Sequence, residues 1–484
     1  MEITIRPEVK QHKISKYLYG HFAEHLGRCI YNGIWAGEDS TIKNDKGIRL
    51  DTAEALKKVA LPALRWPGGC FADNYHWMDG IGPKDKRPKT HNLWWNQPEP
   101  NHFGTDEFMR FCNRIGTEPY ICVNVGSGTV EEARAWVEYC NSSQDSTIVE
   151  QRKANGHPEP YNVKFWGVGN ENWGCGGAMD PEHYADLYRQ FAGYMRPTGG
   201  DIKLVACGSH PGIVEWDERF LAKLKPALHL VDYIALHIYT GGSSDVNFTD
   251  EDYYRTIAGV MTMDDNVKRA SGLTQAYSAY GHPIGVIMDE WGTWYKEAVV
   301  ENGIYQQNTM RDALFTAASF HCFHKFDRLF MTNMAQTVNV LQALILTKGS
   351  KAILTPTYHV YEMFMPHRDG AVVPVELTGN PALNLPDGKK KDGVSVSASV
   401  SENGKELFVS VANLDLKNNI DAAIVLPDGW KIKQARRLAS KDIHDHNTFE
   451  ETDKVKPEEI SLKSLKALSL PPISITTIKM KKET

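Results

Sequence analysis

The chain has 484 residues, 42% of them hydrophobic and 24% charged, and a formal net charge of −6. That length exceeds one ordinary core and predicts a large domain beside a smaller one. The acidic balance, without a concentrated basic stripe, excludes a typical nucleic-acid binder, and no stretch approaches the roughly 20 apolar residues of a membrane span.

The opening Met1-Glu2-Ile3-Thr4-Ile5-Arg6 has no basic region followed by an apolar run. No signal peptide is read there, so a cytoplasmic location is the expectation. Eight cysteines (Cys29, Cys70, Cys112, Cys122, Cys140, Cys175, Cys207 and Cys322) occur without a Cys-x-x-Cys pair. In this context they read as reduced thiols, not as a disulfide framework or a zinc ribbon. Eleven of the twelve tryptophans precede residue 300, which suggests two regions with different roles.

In chain order, apolar runs with strand character fall at 17–22, 62–66, 119–124, 163–169, 203–207, 232–237, 284–288 and 328–332. Helical patterns lie between them. Thr105-Asp106-Glu107 opens one that Gly116 closes. Thr129-Val130-Glu131-Glu132 is a capping box, and Asp180-Pro181 supplies a cap and a proline at the first helical position. Eight such units predict an α/β protein, a (β/α)8 TIM barrel. A doubly wound open sheet is the alternative. It usually carries a glycine-rich phosphate loop, and Gly126-Ser127-Gly128 is too short for one.

After about Gly370 the pattern changes to alternation with period two. Residues 393–400 and 406–412 flank a turn at 401–404, and 422–426, 460–468 and 473–480 continue as strands. The glycine- and lysine-rich stretch 380–392 reads as an exposed loop. The expected division is a barrel over 13–368 and a jelly-roll-like β-sandwich over 369–484, with residues 1–12 adding a strand to the sandwich.

Two segments carry the chemistry. Gly167-Val168-Gly169-Asn170-Glu171-Asn172-Trp173 and Met288-Asp289-Glu290-Trp291-Gly292 each end an apolar run in a carboxylate near a tryptophan. Strand ends at the C-terminal face of a barrel are where such folds keep their reacting groups. A pair of carboxylates, one protonating the leaving oxygen and one attacking or activating water, is what glycoside cleavage needs. The acid must stay protonated near neutral pH, through burial or a neighbouring negative charge. A pair of structural ion-pair partners at the barrel rim is the competing reading.

Arg65-Trp66-Pro67-Gly68-Gly69-Cys70-Phe71 ends the second strand, where Arg65 can orient an ionised carboxylate. Tyr239 can donate to the nucleophile, and His237 either tunes the acid or is a satisfied core histidine. Trp94, Trp95, Trp173, Trp291 and Trp294 are stacking candidates. His21-Phe22-Ala23-Glu24-His25 has the spacing of an inverted zinc-peptidase motif. Its setting, between Gly20 and Gly27 at a strand end, instead places Glu24 in a sugar pocket as a hydroxyl acceptor.

With these residues in place the chain resembles the family 51 glycoside hydrolases, the α-L-arabinofuranosidases. The matching segments are 19–28, 65–71, 167–174, 289–295 and 335–340, in order along nearly the whole barrel. The resemblance implies a barrel with a C-terminal β-sandwich and a retaining mechanism that uses neither cofactor nor metal. By position, Glu171 resembles the general acid/base and Glu290 the nucleophile, a distinction the bare sequence leaves open. Glu24, Cys70 and Asn170 resemble residues that hold the sugar hydroxyls, and Arg65 and Tyr239 those that support the nucleophile. Many relatives carry Asn at the position of Cys70, and a thiol is a weaker partner than an amide. Thr355, Gln336 and Asn339 lie where the last barrel loop approaches the site. Trp94 and Trp95, within 84–101, are expected to shape the site beyond the cleaved bond, with 241–248 a second candidate loop.

The expected activity is exo-acting release of terminal L-arabinofuranose from arabinoxylan or arabinan oligosaccharides. The rival uses of the same barrel are an endo-β-glucanase or β-xylosidase, a zinc peptidase on His21, Glu24 and His25, and a non-catalytic carbohydrate-binding protein. No nucleic-acid or membrane partner is expected. The resemblance also implies a homo-oligomer, commonly a hexamer.

Overall fold

The computed structural model describes residues 1–462 and 464–483. Eight parallel strands close into a barrel: Gly20–Phe22, Ala63–Trp66, Glu118–Val123, Phe165–Val168, Lys203–Ala206, Tyr233–Gly241, Gly285–Trp294 and Leu329–Ala335. Each neighbours the next in sequence, and the eighth pairs with the first through Asn333 and Gly20. Ala63, Tyr120, Phe165, Val205, Ala235, Ile287 and Met331, one from each of seven strands, fill the interior. The barrel is therefore a packed core, and chemistry is left to its C-terminal rim.

The helix starts follow their local signals. Thr129 Oγ1 accepts from Glu132 N at 3.1 Å ahead of helix Val130–Asn141. Asp180 accepts from His183 N at 2.8 Å ahead of Pro181–Gly199. Helix Thr105–Ile115 begins one residue after its cap, Gly104, and ends on Gly116 at φ 73°.

Several strand limits differ from expectation. Lys16–Tyr19 form a 3-10 turn capped by Ser15, and the first strand starts only at Gly20. A side chain at Gly20 would collide with Asn333 and the Thr332 carbonyl across the barrel seam. The sixth and seventh strands run past their apolar stretches, so Tyr239, Asp289 and Glu290 sit on strands rather than beyond them.

The C-terminal region is a sandwich of a four-stranded and a six-stranded sheet around its own apolar core. Strand Glu2–Ile5 lies in the smaller sheet, antiparallel to Val375–Thr378 and parallel to Ile420–Val425. The stretch 380–392 is not a plain loop: Ala382–Asn384 pairs with Lys390–Asp392, and Leu383 and Leu385 are buried. The run 460–468 is not one strand either. Pairing occurs at Glu458–Glu459 and Leu468–Leu470, and residue 463 lies outside the described residues. Strand Trp430–Ala439, missed in the sequence, takes that place in the larger sheet.

The sandwich docks on barrel helix Met310–Phe323 and on the 3-10 turn Met365–His367, which follows helix Pro356–Phe364, through buried histidines and serines. Ser395, Ser397 and Ser399 alternate along Val394–Val400, so their hydroxyls share one face. They meet His321, His324 and His367 at 2.8–2.9 Å. Among the described residues no helix is long and apolar enough to cross a membrane.

Candidate active site

Toward the rim, between Ile287 and Trp291, the seventh strand carries one more residue than either neighbour. Ala235 pairs with Ile287 and His237 with Glu290 on one side; Met288 pairs with Thr332 and Trp291 with Met334 on the other. In a regular strand Asp289 and Glu290 would point to opposite faces. The extra residue is a bulge, and it turns both carboxylates into the barrel mouth.

Arg65 reaches up between them. Its Nη1 donates to Glu290 Oε1 at 2.8 Å, its Nη2 to Asn170 Oδ1 at 2.6 Å, and its Nε lies 3.4 Å from Asp289 Oδ2. Tyr239 donates to Glu290 Oε2 at 2.9 Å. A side chain at Gly69 would come within 2.8 Å of Glu290 Oε1, so this glycine keeps the nearest wall open. Burial raises the Glu290 carboxyl above its ordinary range, against the pull of the His237 and Arg65 cations, and the Glu171 carboxylate pushes the same way as burial.

His237 sits between three carboxylates. Its Nδ1 donates to Glu171 Oε1 at 2.8 Å, with Glu290 Oε2 at 3.6 Å, and its Nε2 donates to Asp289 Oδ1 at 2.9 Å. Burial alone would lower its pKa, but Glu290, Asp289 and the hydrogen bond to Glu171 raise it to about 10. The ring is therefore an imidazolium at neutral pH. Burial would likewise raise Asp289, yet Arg65, His237 and the Tyr120 hydroxyl at 2.8 Å hold it below the usual carboxylate range.

Glu171 is aimed by an unusual backbone. Its φ is +44°, a region that strains a residue with a side chain and persists only where surroundings enforce it. Here Gly174 N and Gly176 N donate to the Glu171 carbonyl. Asp73 holds the preceding residue: its Oδ2 accepts from Asn170 N at 2.7 Å, while its Oδ1 accepts from Val125 N and Gly126 N. One buried carboxylate thus ties the tips of the third and fourth strands together. Burial raises Asp73 to about 7 despite those donors.

Between the two glutamates lies a pocket of about 130 Å3 lined by Phe22, Glu24, Trp95, Tyr239, Trp294 and Gln336, among others. Sites for drug-sized ligands run to roughly 300–1,000 Å3, so this one suits a single sugar ring. Glu24 forms its far wall, accepting from Phe71 N at 3.0 Å, Trp95 Nε1 at 2.9 Å and Gln336 Nε2 at 3.0 Å. Burial raises it to about 7.

The structure thus brings together Glu24, Arg65, Asn170, Glu171, His237, Tyr239 and Glu290. Several expected site residues stand differently. Cys70 lines the pocket but is not a thiol: it forms a disulfide with Cys175, so it offers the sugar no S–H donor, and the reading of all cysteines as reduced is corrected. Trp94 is 38% exposed at the turn of the hairpin 90–99, and its neighbour Trp95 faces the pocket instead. Thr355 is buried as the cap of helix Pro356–Phe364, with its hydroxyl donating to the Ala343 carbonyl at 2.7 Å. Asn339 likewise serves the loop, bonding Arg28 O and Thr347. Trp291 is fully buried behind the strand and Trp173 donates to Gly208 O, so Trp294 is the other pocket indole.

The zinc-motif residues diverge. His25 is spent on Glu99 and the Trp66 indole, and His21 is buried with Thr337 as its neighbour, while Glu24 turns to the pocket. Among the described residues two clusters could hold a metal ion: Glu171, His237 and Glu290, and Cys70, Glu171 and Cys175. In the first, both His237 nitrogens already carry protons directed at carboxylates. In the second, both sulfurs are bonded to each other. The sequence missed Asp73, Asp289 and Cys175; the only hint was that Asp289 lies inside the Glu290 segment and Cys175 two residues beyond the Glu171 segment.

Opposed glutamates over a one-sugar pocket, at the C-terminal rim of an eight-stranded barrel, define a glycoside hydrolase. Comparison with known proteins narrows the class. Residues 55–256 match the α-L-arabinofuranosidase 1 domain, and residues 289–474 match the α-L-arabinofuranosidase C-terminal domain. The chain is 42% identical to an intracellular exo-α-L-arabinofuranosidase of Bacteroides ovatus, over 99% of this chain and 95% of that one. Its fold is similar to the family 51 arabinofuranosidase of Xanthomonas axonopodis pv. citri, with 34% identity, a TM-score of 0.93 and coverage of 99% and 100%. The α-L-arabinofuranosidase of Thermotoga maritima in its arabinose complex is similar at a TM-score of 0.89, with 34% identity and 99% coverage of both. The chain belongs to the family 51 glycoside hydrolases, the α-L-arabinofuranosidases.

Proposed function

We propose that the protein is a retaining, exo-acting α-L-arabinofuranosidase. One observation carries the assignment of roles. Arg65 and Tyr239 both donate to Glu290, whereas Glu171 receives only His237 and is the more open carboxylate. Burial raises Glu290, but Arg65, Tyr239 and the His237 cation all pull it back toward the ionised form, so Glu290 is the nucleophile and the more open Glu171 the acid. Glu171 protonates the leaving oxygen while Glu290 attacks the anomeric carbon. Glu171 then removes a proton from the water that breaks the glycosyl ester. An oxygen of each carboxyl lies within 4.8 Å of one from the other. That supports direct attack over inversion, which needs roughly 6.5–9.5 Å between the carboxyls to seat a water. Through both steps the imidazolium of His237 faces negative charge, on Glu290 first and on Glu171 once the ester forms. The small pocket supports removal of one terminal residue at a time. Glu24 and Asn170 hold the sugar hydroxyls.

The preferred substrates are arabinoxylan or arabinan oligosaccharides, hydrolysed inside the cell by a homo-oligomer. The name of the Bacteroides ovatus relative supports the compartment; a monomeric mass in solution would refute the assembly. The test of the activity is the initial rate on nitrophenyl α-L-arabinofuranoside beside the β-xyloside and β-glucoside, with a chelator present. Release from the arabinofuranoside alone is expected. Hydrolysis of a β-linked substrate instead would mean that the pocket around Glu24 selects another sugar.

A further inference from the structure

The disulfide joins the two loops that matter most for catalysis. Cys70 belongs to the tip of the second strand, one residue before the Phe71 amide that holds Glu24. Cys175 belongs to the loop that holds Glu171, and its sulfur lies 3.6 Å from Glu171 Oε2 and 3.8 Å from Asn170 Nδ2. Both cysteines are only part-buried, whereas the six free cysteines are buried. A soluble reductant therefore finds one cystine, placed at the acid/base.

We propose that this pair is a redox-gated site for a soft divalent cation, zinc above all, that switches the enzyme off. A dithiol supplies two electrons and two protons: the Cys70–Cys175 bond breaks, two thiols form, and the dithiol becomes its own disulfide. Zinc then displaces the two thiol protons and forms two Zn–S bonds. The Cα atoms are 5.5 Å apart, close enough for both thiolates to share one ion. The ligand atoms of Cys70, Cys175 and Glu171 lie within 4.8 Å of one another, so the glutamate supplies an oxygen as third ligand and water the fourth. Glycines on both sides, Gly68-Gly69 before Cys70 and Gly174, Gly176 and Gly177 around Cys175, let the sulfurs part. Thiolates with one carboxylate select zinc over magnesium or calcium. In the oxidised enzyme each sulfur has its two covalent bonds and no thiolate exists. Closed, the disulfide protects Glu171; open, it turns that carboxylate into a metal ligand that can no longer deliver a proton.

Zinc capture stands on geometry alone; the loss of activity rests on the acid role proposed above for Glu171. The full-length enzyme is prepared oxidised and, after reduction and removal of the reductant under argon, reduced. Zinc affinity is read by competition with a chromogenic chelator, and kcat/KM on nitrophenyl α-L-arabinofuranoside is read in parallel. The reduced enzyme is expected to take up one zinc that the oxidised enzyme does not, and to lose roughly 10²-fold or more in kcat/KM. A chelator or reoxidation restores it. Cys175→Ser, and independently Cys70→Ser, abolish the redox-dependent zinc uptake. Equal zinc affinity in both redox states, or uptake by the reduced enzyme that survives Cys175→Ser, overturns the proposal. Redox-dependent uptake without loss of activity would keep the metal site and reject Glu171 as the acid.

Discussion

At the barrel mouth His237 lies between Glu171, Glu290 and Asp289, and its pKa is raised to about 10. Where the sandwich docks, His321, His324 and His367 are equally buried but face serine hydroxyls, and burial drives them down, His324 to about 3. His321 and His367 share the Ser410 hydroxyl, and His324 also meets Tyr19. The charged groups nearest this second cluster are Lys325 and Lys391, with His12 against the His324 carbonyl; none is a carboxylate. Burial disfavours the charged form in both regions, and only partners able to balance the charge reverse it. One region therefore stores charge for chemistry. The other uses the same side chain as a neutral, two-ended hydrogen-bond bridge between domains.

The sharpest way to break this contrast is to remove the carboxylates. Glu290→Ala is expected to lose on the order of 10⁴-fold in kcat or more. Glu171→Ala should lose roughly 10²–10⁴-fold on substrates with poor leaving groups, and far less on a dinitrophenyl glycoside, which needs little acid help. Added azide should restore turnover to Glu171→Ala by replacing water at the glycosyl ester. Steady-state rates on two leaving groups check this, and equal losses on both would reject the acid role. His237→Gln keeps a donor for Glu171 but not the positive charge, and should cost about 10²-fold in kcat. The corresponding His324→Gln variant should leave kcat unchanged.

How much of this was legible from the sequence depends on whether a feature is local. Glu171 and Glu290 stood out because each ends an apolar run, a pattern confined to a few residues. Asp289 was invisible as a partner of His237. Alternation predicts that it faces away, and the bulge that turns it inward is defined only by registers with the sixth and eighth strands. The disulfide was hidden twice. Its cysteines are 105 residues apart and meet only because barrel closure brings two loops together, and the expectation of a cytoplasmic setting argued for reduced thiols. Trp94 and Trp95 are adjacent, and only the hairpin decides which enters the pocket.

The two histidine environments also predict opposite pH limbs of stability. Between pH 6.5 and about 3 the unfolded chain protonates at His324 while the native state does not. Stability from this group is therefore complete above 6.5, falls as pH drops, and levels off below about 3. His237 does the reverse: its contribution is complete below 6.5 and is lost as pH rises toward 10. In urea titrations across pH, His324→Gln should reduce the slope of the acid limb by about one proton and leave the alkaline limb alone. His237→Gln should do the opposite. Parallel curves for wild type and both variants would mean that neither ring titrates as its neighbours dictate.

The smallest expected effect bears on a residue that the family resemblance placed near the sugar. Thr355 is 1% exposed; its oxygen accepts from Tyr358 N at 3.4 Å and its hydroxyl donates to Ala343 O. The sequence carried the signature of this role, since Thr355-Pro356 is a cap followed by a proline at the first helical position. Losing a threonine cap costs about 1 kcal/mol. Thr355→Ala should therefore lower the urea midpoint modestly while kcat and KM on the arabinofuranoside stay at wild-type values. A raised KM with unchanged stability would return Thr355 to the sugar pocket. Because helix Pro356–Phe364 leads directly into the turn that carries His367 against the sandwich, a shift in the acid limb along with the midpoint would tie this cap to the neutral histidines rather than to the charged ones.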